Sequence, residues 1–441
     1  MNVVLAKTET GRALSDIFAV ARGRLPGTGE VADLRRQASE AYELAGLPHR
    51  RIEDWKYTDL RALMREVLPL AAAPDAAALK RAAAALKLHA IRSTRRLVLV
   101  DGVFAPTLSD TANLEKGLSM RALRDVLEAG DSAIQAQLFA TDNSESMVAL
   151  NSAMMTDGLV IEVADGAVLS QPLHIVHIAS GGTPAAMFTR SMLRIGKAAG
   201  ATLVESYIAA DGAKAYQVHD SLIVSIGDGA RLEHVRLTED GREAFNISSA
   251  VVTLGAHAHL NTFGMTSGAA VSRYQANIAF AGEGSRVETN GVNLLNGRQH
   301  ADTTLFMDHA VPHCGSNEIF RAVVDDRGHS VFQGRIIVRP HAQKTDAKMM
   351  TRALLLSDEA EADNKPELEI FADDVTCGHG ATTGALDESL LFYLRARGLS
   401  EKEAQALLIQ AFVGEAIESI ANDALRELAI SAAQRWLEAR G

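Results

Sequence analysis

Cys377 and His379 are the residues whose types and spacing are best suited to chemistry. They are two positions apart, so on an extended chain both side chains point to the same face. A thiol beside an imidazole can ligate a soft metal or act as nucleophile and base. Gly378 and Gly380 would let a ligand or another backbone approach closely. The alternative interpretation is a buried small cysteine next to a turn histidine.

A second group of imidazoles lies between residues 300 and 341, and Cys314 is next to one of them. Its five histidines are His300, His309, His313, His329 and His341. Imidazole and thiolate together suit zinc or iron, but the spacing matches no standard zinc module. The simpler interpretation is a set of histidines at turns and strand ends, satisfied by hydrogen bonds.

The sequence disfavours two classes of enzyme. Asp373 and Asp374 could be the paired carboxylates of a β-solenoid enzyme acting on polysaccharides. Adjacent residues of a strand point to opposite faces, however, so these two would not flank one glycosidic bond. The chain also has no G-x-x-x-x-G-K-[ST] loop to bind phosphates, so we do not expect it to hydrolyse ATP.

These residues lie towards the end of a strand-rich region that helices flank on both sides. Apolar residues at steps of three and four, and an Ala-rich stretch at 71–90, predict a helical region over residues 1–92. Short Val-, Ile- and Thr-rich runs separated by glycines predict strands over residues 93–385. From residue 386 the pattern is helical again, with Asp387 as a helix cap and Ser400 and Glu403 as a capping box.

The strand-rich region contains a loose repeat. A glycine followed by a small residue precedes a strand at positions 166, 200, 229, 255 and 284, so the steps are 26 to 34 residues apart. The stretches between strands are too short for crossover helices. Imperfect strand repeats of this length are typical of a β-solenoid. A β-sandwich of ordinary hairpins is the alternative.

Composition and charge limit the class of protein. The formal net charge of -11 argues against a nucleic-acid-binding surface. Two cysteines in 441 residues cannot form a disulfide framework, which indicates a reducing compartment. No apolar run is long enough to cross a bilayer, and the first residues lack the order of a signal peptide. We therefore expect a soluble cytoplasmic protein that binds neither nucleic acid nor membranes.

Several motifs of the chain resemble the SufB/SufD family of the SUF machinery, which assembles iron–sulfur clusters. The C-terminal motifs are PELEI at 366–370, DDV at 373–375, CGHGAT at 377–382 and FYLRARG at 392–398. Upstream motifs are WKYT at 55–58, FQG at 332–334, QKTDA at 343–347 and ALLLS at 353–357. Within the family the chain is similar to the SufD type. SufB-type subunits carry a cysteine just before the ALLL segment, where this chain has Met350, Thr351 and Arg352.

The resemblance implies a right-handed parallel β-helix with helical regions at 1–92 and 386–441, acting as a non-catalytic scaffold. It implies pairing with SufB at a site containing His379 and Cys377, with His379 as a metal ligand of a transient iron–sulfur cluster. It also implies that the C-terminal helices bind SufC, an ABC-type ATPase, through Phe392, Leu407, Leu408 and Phe412. No cofactor is expected to bind stably to the chain alone. A SufB-like subunit that self-associates, and a homodimer of the chain alone, remain alternatives.

Overall fold

The computed structural model describes residues 9–139 and 145–440. Most of these residues form a parallel β-solenoid with helical regions before and after it. Each strand of the solenoid pairs with the strand two places along the chain, and not with its immediate neighbour as in a hairpin. The prediction of a mainly β solenoid flanked by helices is therefore confirmed, and the sandwich alternative is wrong.

Two sheets run the length of the solenoid. The strands are β1 (Arg95–Val100), β2 (Val103–Phe104), β3 (Leu118–Ala122), β4 (Leu159–Val163), β5 (Leu173–Ala179), β6 (Ala186–Ile195), β7 (Gly200–Ala209), β8 (Gln217–Ile226), β9 (Arg231–Glu239), β10 (Phe245–Leu254), β11 (His259–Thr266), β12 (Val271–Phe280), β13 (Arg286–Leu295), β14 (His300–His309), β15 (Gly315–Val324), β16 (His329–Val338), β17 (Asp346–Leu355), β18 (Glu361–Ile370) and β19 (Thr376–Gly384). Even-numbered strands from β4 to β18 form one sheet, and odd-numbered strands from β5 to β19 form the other. β1 extends the second sheet by pairing parallel with β5. At the N-terminal end, β2 pairs antiparallel with β1, and β3 pairs antiparallel with β4.

The repeat predicted from glycines corresponds to the turns of the solenoid. In-register partners such as Phe280 and His309 are one turn apart along the chain. Gly166, Gly229 and Gly284 have φ angles of 70°, 67° and 73°, which a residue with a side chain rarely adopts. Glycine at these corners therefore lets the chain leave one sheet and enter the other.

Many strands are apolar on both faces. Leu203 and Leu232 point into the solenoid and join a continuous interior core. Val204 and Val235 point outward and pack with the C-terminal helices. Burial on both faces explains why these strands can carry apolar residues at adjacent positions, such as Leu203 and Val204.

From residue 9 onward, the N-terminal region contains four α-helices, α1 (Glu9–Ala21), α2 (Glu30–Ala45), α3 (Leu60–Leu63) and α4 (Ala76–Leu88). α2 buries Val31, Ala38 and Tyr42. The side chain of Asp75 caps α4 by accepting a hydrogen bond from the backbone of Ala78 at 2.7 Å. The helical prediction for this region is confirmed over its described residues.

Three further α-helices lie among the described residues of the range 93–385. They are α5 (Leu123–Ala129), α6 (Ser132–Phe139) and α7 (Ser146–Met154). All nine residues of α7 are buried, so it has no polar face and no helical periodicity of hydrophobicity. The sequence pattern could not indicate it for this reason.

The C-terminal region contains α8 (Glu388–Ala396), α9 (Glu401–Ile417) and α10 (Asp423–Ala439). Asp387 caps α8, and Ser400 and Glu403 form the predicted capping box of α9. α9 and α10 pack against the outer face of the odd-numbered sheet, where Val413 and Trp436 are buried. Within the described ranges, no helix combines the length and apolar character needed to cross a membrane.

Candidate functional site

The C-terminal end of the solenoid carries Cys377 and His379. Both residues lie on β19, which pairs with β17 along one edge. β18, the last strand of the other sheet, pairs with β16 along one edge. No strand of the described residues covers the outer edges of β18 and β19. An uncovered strand edge presents unpaired backbone N–H and C=O groups, which can pair with another chain.

Register fixes the direction of the two side chains. Cys377 lies beside Ala347, and His379 lies beside Met349. Ala347 and Met349 are buried in the interior core. Because in-register neighbours of a parallel sheet point to the same face, Cys377 and His379 both face the axis of the solenoid at its open end. This agrees with the same-face placement predicted from their spacing.

The two residues differ in exposure. Cys377 is half-buried and packs against the interior core, whereas His379 is exposed. Burial raises the pKa of the Cys377 thiol above its usual value. A raised pKa lowers the thiolate fraction at neutral pH, and the thiolate is the reactive form. Cys377 is thus poorly suited to act as a nucleophile, while His379 is accessible to a ligand.

Apolar side chains at this end are incompletely buried. Leu368 and Val375 reach the interior core but are only partly covered. Ile370 and Phe371, at the corner after β18, are 41% and 59% exposed. The core therefore stops at an open surface, of the kind that a partner covers.

A chain of hydrogen bonds holds the last strands together. The hydroxyl of Thr351 donates to Oδ1 of Asn364 at 2.8 Å. The amide of Asn364 donates to the hydroxyl of Thr383 at 3.2 Å. These contacts tie β17, β18 and β19 to one another, so the strand that carries His379 has a defined position.

Asp373 and Asp374 lie in the exposed turn between β18 and β19. Asp374 forms an ion pair with Lys344, and its backbone N–H donates to Gln343. One carboxylate is therefore committed to a lysine of the preceding turn. This pairing leaves the two aspartates without the arrangement that glycosidic cleavage needs.

The four residues assigned to an ATPase contact differ in exposure. Phe392 on α8 is 74% exposed and Leu407 on α9 is 47% exposed. Leu408 is only partly buried, whereas Phe412 packs with the helix–sheet core and lies under the guanidinium of Arg321. α8 buries none of its residues within the described chain. The structure therefore leaves Phe392 and Leu407 free for a partner, and it gives Phe412 an internal contact.

The five histidines between residues 300 and 341 do not form one cluster. His300 and His329 adjoin, with their Nδ1 atoms 3.2 Å apart, and His329 Nε2 lies 2.8 Å from the Asp363 carboxylate. Burial lowers the pKa of His300 to about 4, so its ring is neutral. His309 is buried against Phe280. The other two members lie in exposed turns, at His313 and His341.

The WKYT motif at 55–58 attaches the N-terminal region to the solenoid. The Trp55 ring lies under the guanidinium of Arg273, 3.8 Å from the ring centroid, and its Nε1 donates to Glu145 at 3.2 Å. The Thr58 hydroxyl lies 2.9 Å from Nε2 of His300 and also contacts Asp302. Sequence reasoning missed this role, because the partners lie 90 or more residues away along the chain and no local signal could have indicated them.

Comparison with known proteins identifies the family of the chain. Residues 25–175 match the family model of the SufBD protein N-terminal region, and residues 177–412 match that of the SufBD core domain of SUF system FeS cluster assembly. The iron–sulfur cluster assembly protein SufD of Escherichia coli is 31% identical over 385 residues, covering 87% of this chain and 87% of the relative.

Two further relatives point to the same family. An iron–sulfur cluster assembly SufBD family protein of Synechocystis is 30% identical, covering 88% of this chain and 87% of the relative. A SufBD family protein of Mycobacterium leprae is 34% identical over 226 residues, covering 49% of this chain and 58% of the relative. The family models and the two similarities that cover 87% or more of the chain show that it belongs to the SufBD family of iron–sulfur cluster assembly proteins.

Proposed function

We propose that the chain is the SufD-type scaffold subunit of an iron–sulfur cluster assembly complex. In this proposal it pairs with SufB through the open end of its solenoid and binds the SufC ATPase through its C-terminal helices. The observation that carries the proposal is the uncovered end at β18 and β19, where His379 is exposed. Two strand edges and an unfinished apolar core favour a partner with a matching solenoid end.

His379 is our candidate ligand for a transient cluster at the SufB interface. Neutral imidazole is a suitable iron ligand. Exposure of the ring at the open end supports access from a partner. Cys377 lies on the same face but is half-buried with a raised pKa, which supports an auxiliary or structural role.

The sequence around 350–352 supports the SufD type over the SufB type. Met350, Thr351 and Arg352 occupy the positions on β17 where SufB-type subunits carry a cysteine. Cluster formation then needs thiolates from the partner, so we propose that the chain holds no iron–sulfur cluster of its own. The absence of a phosphate-binding loop from the sequence fits a non-catalytic subunit whose nucleotide chemistry belongs to SufC.

Exposed apolar side chains on the C-terminal helices support a SufC contact. Leu390, Phe392 and Tyr393 on α8 are 51%, 74% and 54% exposed. A short helix that buries nothing internally gains little stability from its own chain. A partner that covers α8 would supply the missing burial. Both cysteines are free, which supports a cytoplasmic location.

Co-purification of the chain with SufB and SufC tests the pairing. We expect a complex that contains both partners and forms a cluster when iron and sulfide are supplied. His379→Ala should keep the complex but lose most of the cluster absorbance. His259→Ala is the matched control, because His259 is also exposed but lies on β11, far along the solenoid from the open end. Equal cluster yields from the two variants would contradict the role of His379.

The SufC contact has its own test. Phe392→Glu replaces an exposed aromatic ring by a charge and should abolish retention of SufC in a pull-down. Leu44→Glu is the control, since Leu44 is 91% exposed on α2 in the N-terminal region. Retention of SufC by Phe392→Glu at the level of Leu44→Glu would remove α8 from the proposed contact.

Self-association is a second candidate, because the same uncovered edges could pair with a second copy. Sedimentation of the chain alone and with SufB distinguishes the two arrangements. A homodimer that SufB dissociates would place both partners at the same end. A homodimer that persists while SufB binds would separate the two surfaces and contradict the proposed use of the open end.

A further inference from the structure

A group of metal-ligating side chains lies inside the solenoid, far along the chain from the open end. His177 on β5, Glu205 on β7 and Asp220 on β8 are all buried. One ligand atom of each lies within 4.8 Å of the ligand atoms of the other two. Because β5 and β7 belong to one sheet and β8 to the other, this triad bridges the two sheets across the interior.

His177 has a ring nitrogen that lacks a partner. His177 is only 7% exposed, and its Nε2 makes no hydrogen bond. The ring stacks on Tyr207 with centroids 4.5 Å apart and planes 10° apart, so its orientation is fixed. A buried nitrogen without a hydrogen-bond partner destabilises the folded chain, so it calls for an explanation. A bound cation would satisfy it.

The two carboxylates of the triad are held by other side chains. Oε2 of Glu205 lies 2.8 Å from Nε2 of His234. Oδ2 of Asp220 accepts from the Tyr207 hydroxyl at 2.8 Å, and its other oxygen accepts from the Thr189 hydroxyl. Such outer contacts orient the ligands of metal sites in proteins. Each carboxylate still has lone pairs available for an ion.

The charge of the interior also favours a cation. Glu205, Asp220 and Asp240 are buried carboxylates in this region. Among the described residues, two guanidiniums interact with these carboxylates. Arg236 stacks over Tyr207 and acts on Glu205 and Asp240, and Arg190 acts on Asp220. The three carboxylates therefore outnumber the two guanidiniums. Burying uncompensated charge is costly.

We propose that His177, Glu205 and Asp220 bind one divalent first-row transition-metal ion that joins the two sheets. One imidazole nitrogen and two carboxylate oxygens suit Zn²⁺, Mn²⁺ or Fe²⁺, while a soft ion would need sulfur ligands. Ligand atoms on one such ion lie at most about 4.4 Å apart, twice the metal–oxygen distance. Small side-chain movements would bring the three ligand atoms, now within 4.8 Å of one another, to distances that one ion can bridge.

This ion is a structural component of the lone chain and does not depend on SufB or SufC. It departs from the sequence-based expectation that no cofactor binds stably to the chain alone. It also differs from the proposed cluster at His379, because no thiolate takes part. Neither cysteine lies in the triad.

Metal content of the full chain tests the proposal. The chain, purified without a metal-affinity step, is equilibrated separately with Zn²⁺, Mn²⁺ and anaerobic Fe²⁺ and then dialysed. We expect one ion per chain by mass spectrometry for at least one of the three metals. His177→Gln and Asp220→Asn should lose this ion. His309→Gln should retain it, because His309 is equally buried and stacked on an aromatic ring, Phe280, outside the triad.

Two results would overturn the proposal. The first is a wild-type chain that retains well below one ion per chain for each of the three metals, or that holds an adventitious ion only, which dialysis removes. The other is equal retention by the triad variants and His309→Gln. If the triad variants do not fold, the absorption spectrum of the Co²⁺-loaded wild-type chain decides. Nitrogen and oxygen ligation supports the triad, and thiolate charge-transfer bands contradict it.

Discussion

Glu318 is a buried carboxyl group without a hydrogen-bond partner on either oxygen. It lies on β15 beside Met349, which in turn lies beside His379. Burial raises its pKa to about 8. At neutral pH the group is therefore mostly protonated in the folded chain and ionised in the unfolded chain, where its pKa is ordinary.

We expect Glu318→Gln to stabilise the chain in a pH-dependent manner. Between the unfolded pKa near 4.5 and the folded pKa near 8, the folded state binds more protons, so stability falls as pH rises. Each pH unit in this window costs about 1.4 kcal/mol. The free energy of unfolding of Glu318→Gln, minus that of the wild type, should therefore increase from pH 5 to pH 8. Denaturant titrations that give a constant difference would contradict the raised pKa.

Cys377 should react slowly with alkylating reagents. Burial raises its pKa above the usual value, so its thiolate fraction keeps increasing at alkaline pH. Peptide-resolved mass spectrometry of iodoacetamide labelling should show a rate that still rises above about pH 9. A rate that levels off below pH 8 would indicate an activated thiol and would reopen a nucleophilic role.

At the scale of elements, one buried ion pair helps to attach the N-terminal region to the solenoid. Arg273 pairs with Asp302, and both are buried. Arg273 also donates to the backbone carbonyl of Asp54 at 2.7 Å, next to the WKYT motif. The even-numbered sheet thus supplies the charged groups that hold Trp55 and Thr58 in place.

Removing one member of this pair should loosen the N-terminal region. Arg273→Ala leaves the Asp302 carboxylate buried without its partner, which typically costs about 3–5 kcal/mol. Arg339→Ala is the matched control, because Arg339 and Asp308 form an exposed pair on the same sheet, and such pairs contribute about 0–1 kcal/mol. Limited proteolysis should release the N-terminal helices from Arg273→Ala first. Equal protease resistance of the two variants would count against this attachment.

At the scale of the whole molecule, buried histidines should make the free energy of unfolding decrease at acidic pH. Burial lowers the pKa of His174 and His219 to about 3 and that of His300 and His309 to about 4. These histidines stay neutral in the folded chain, whereas in the unfolded chain they take up protons near pH 6.5. The unfolded state then binds more protons, so stability is lost as pH falls below about 6.5.

We expect His219→Phe to reduce this acid sensitivity. His219 stacks on Phe188 with centroids 4.4 Å apart, so a phenyl ring fits the site. Between about pH 6 and pH 4, the free energy of unfolding of the variant should fall by about 1.4 kcal/mol per pH unit less than that of the wild type. His341→Phe, at an exposed turn position, is the control and should follow the wild type. Identical acid profiles for both variants would show that His219 already titrates normally.

The sequence predicted the fold from local signals and left the long-range contacts open. Corner glycines such as Gly229 and the capping pair Ser400 and Glu403 act within a few residues, so they can be recognised in a sequence. The site at His379 required both an extended strand and its position at the end of a sheet, and only the first is local. The triad of His177, Glu205 and Asp220 comes from three strands, and no sequence spacing brings these residues together.

The uncovered edges at the end of the solenoid belong to different sheets, β18 to one and β19 to the other. A partner that pairs with both edges is held at two separated lines, so its rotation about the solenoid axis is fixed. If only one edge were released, pairing along the other edge would remain, and the partner would rotate about that edge.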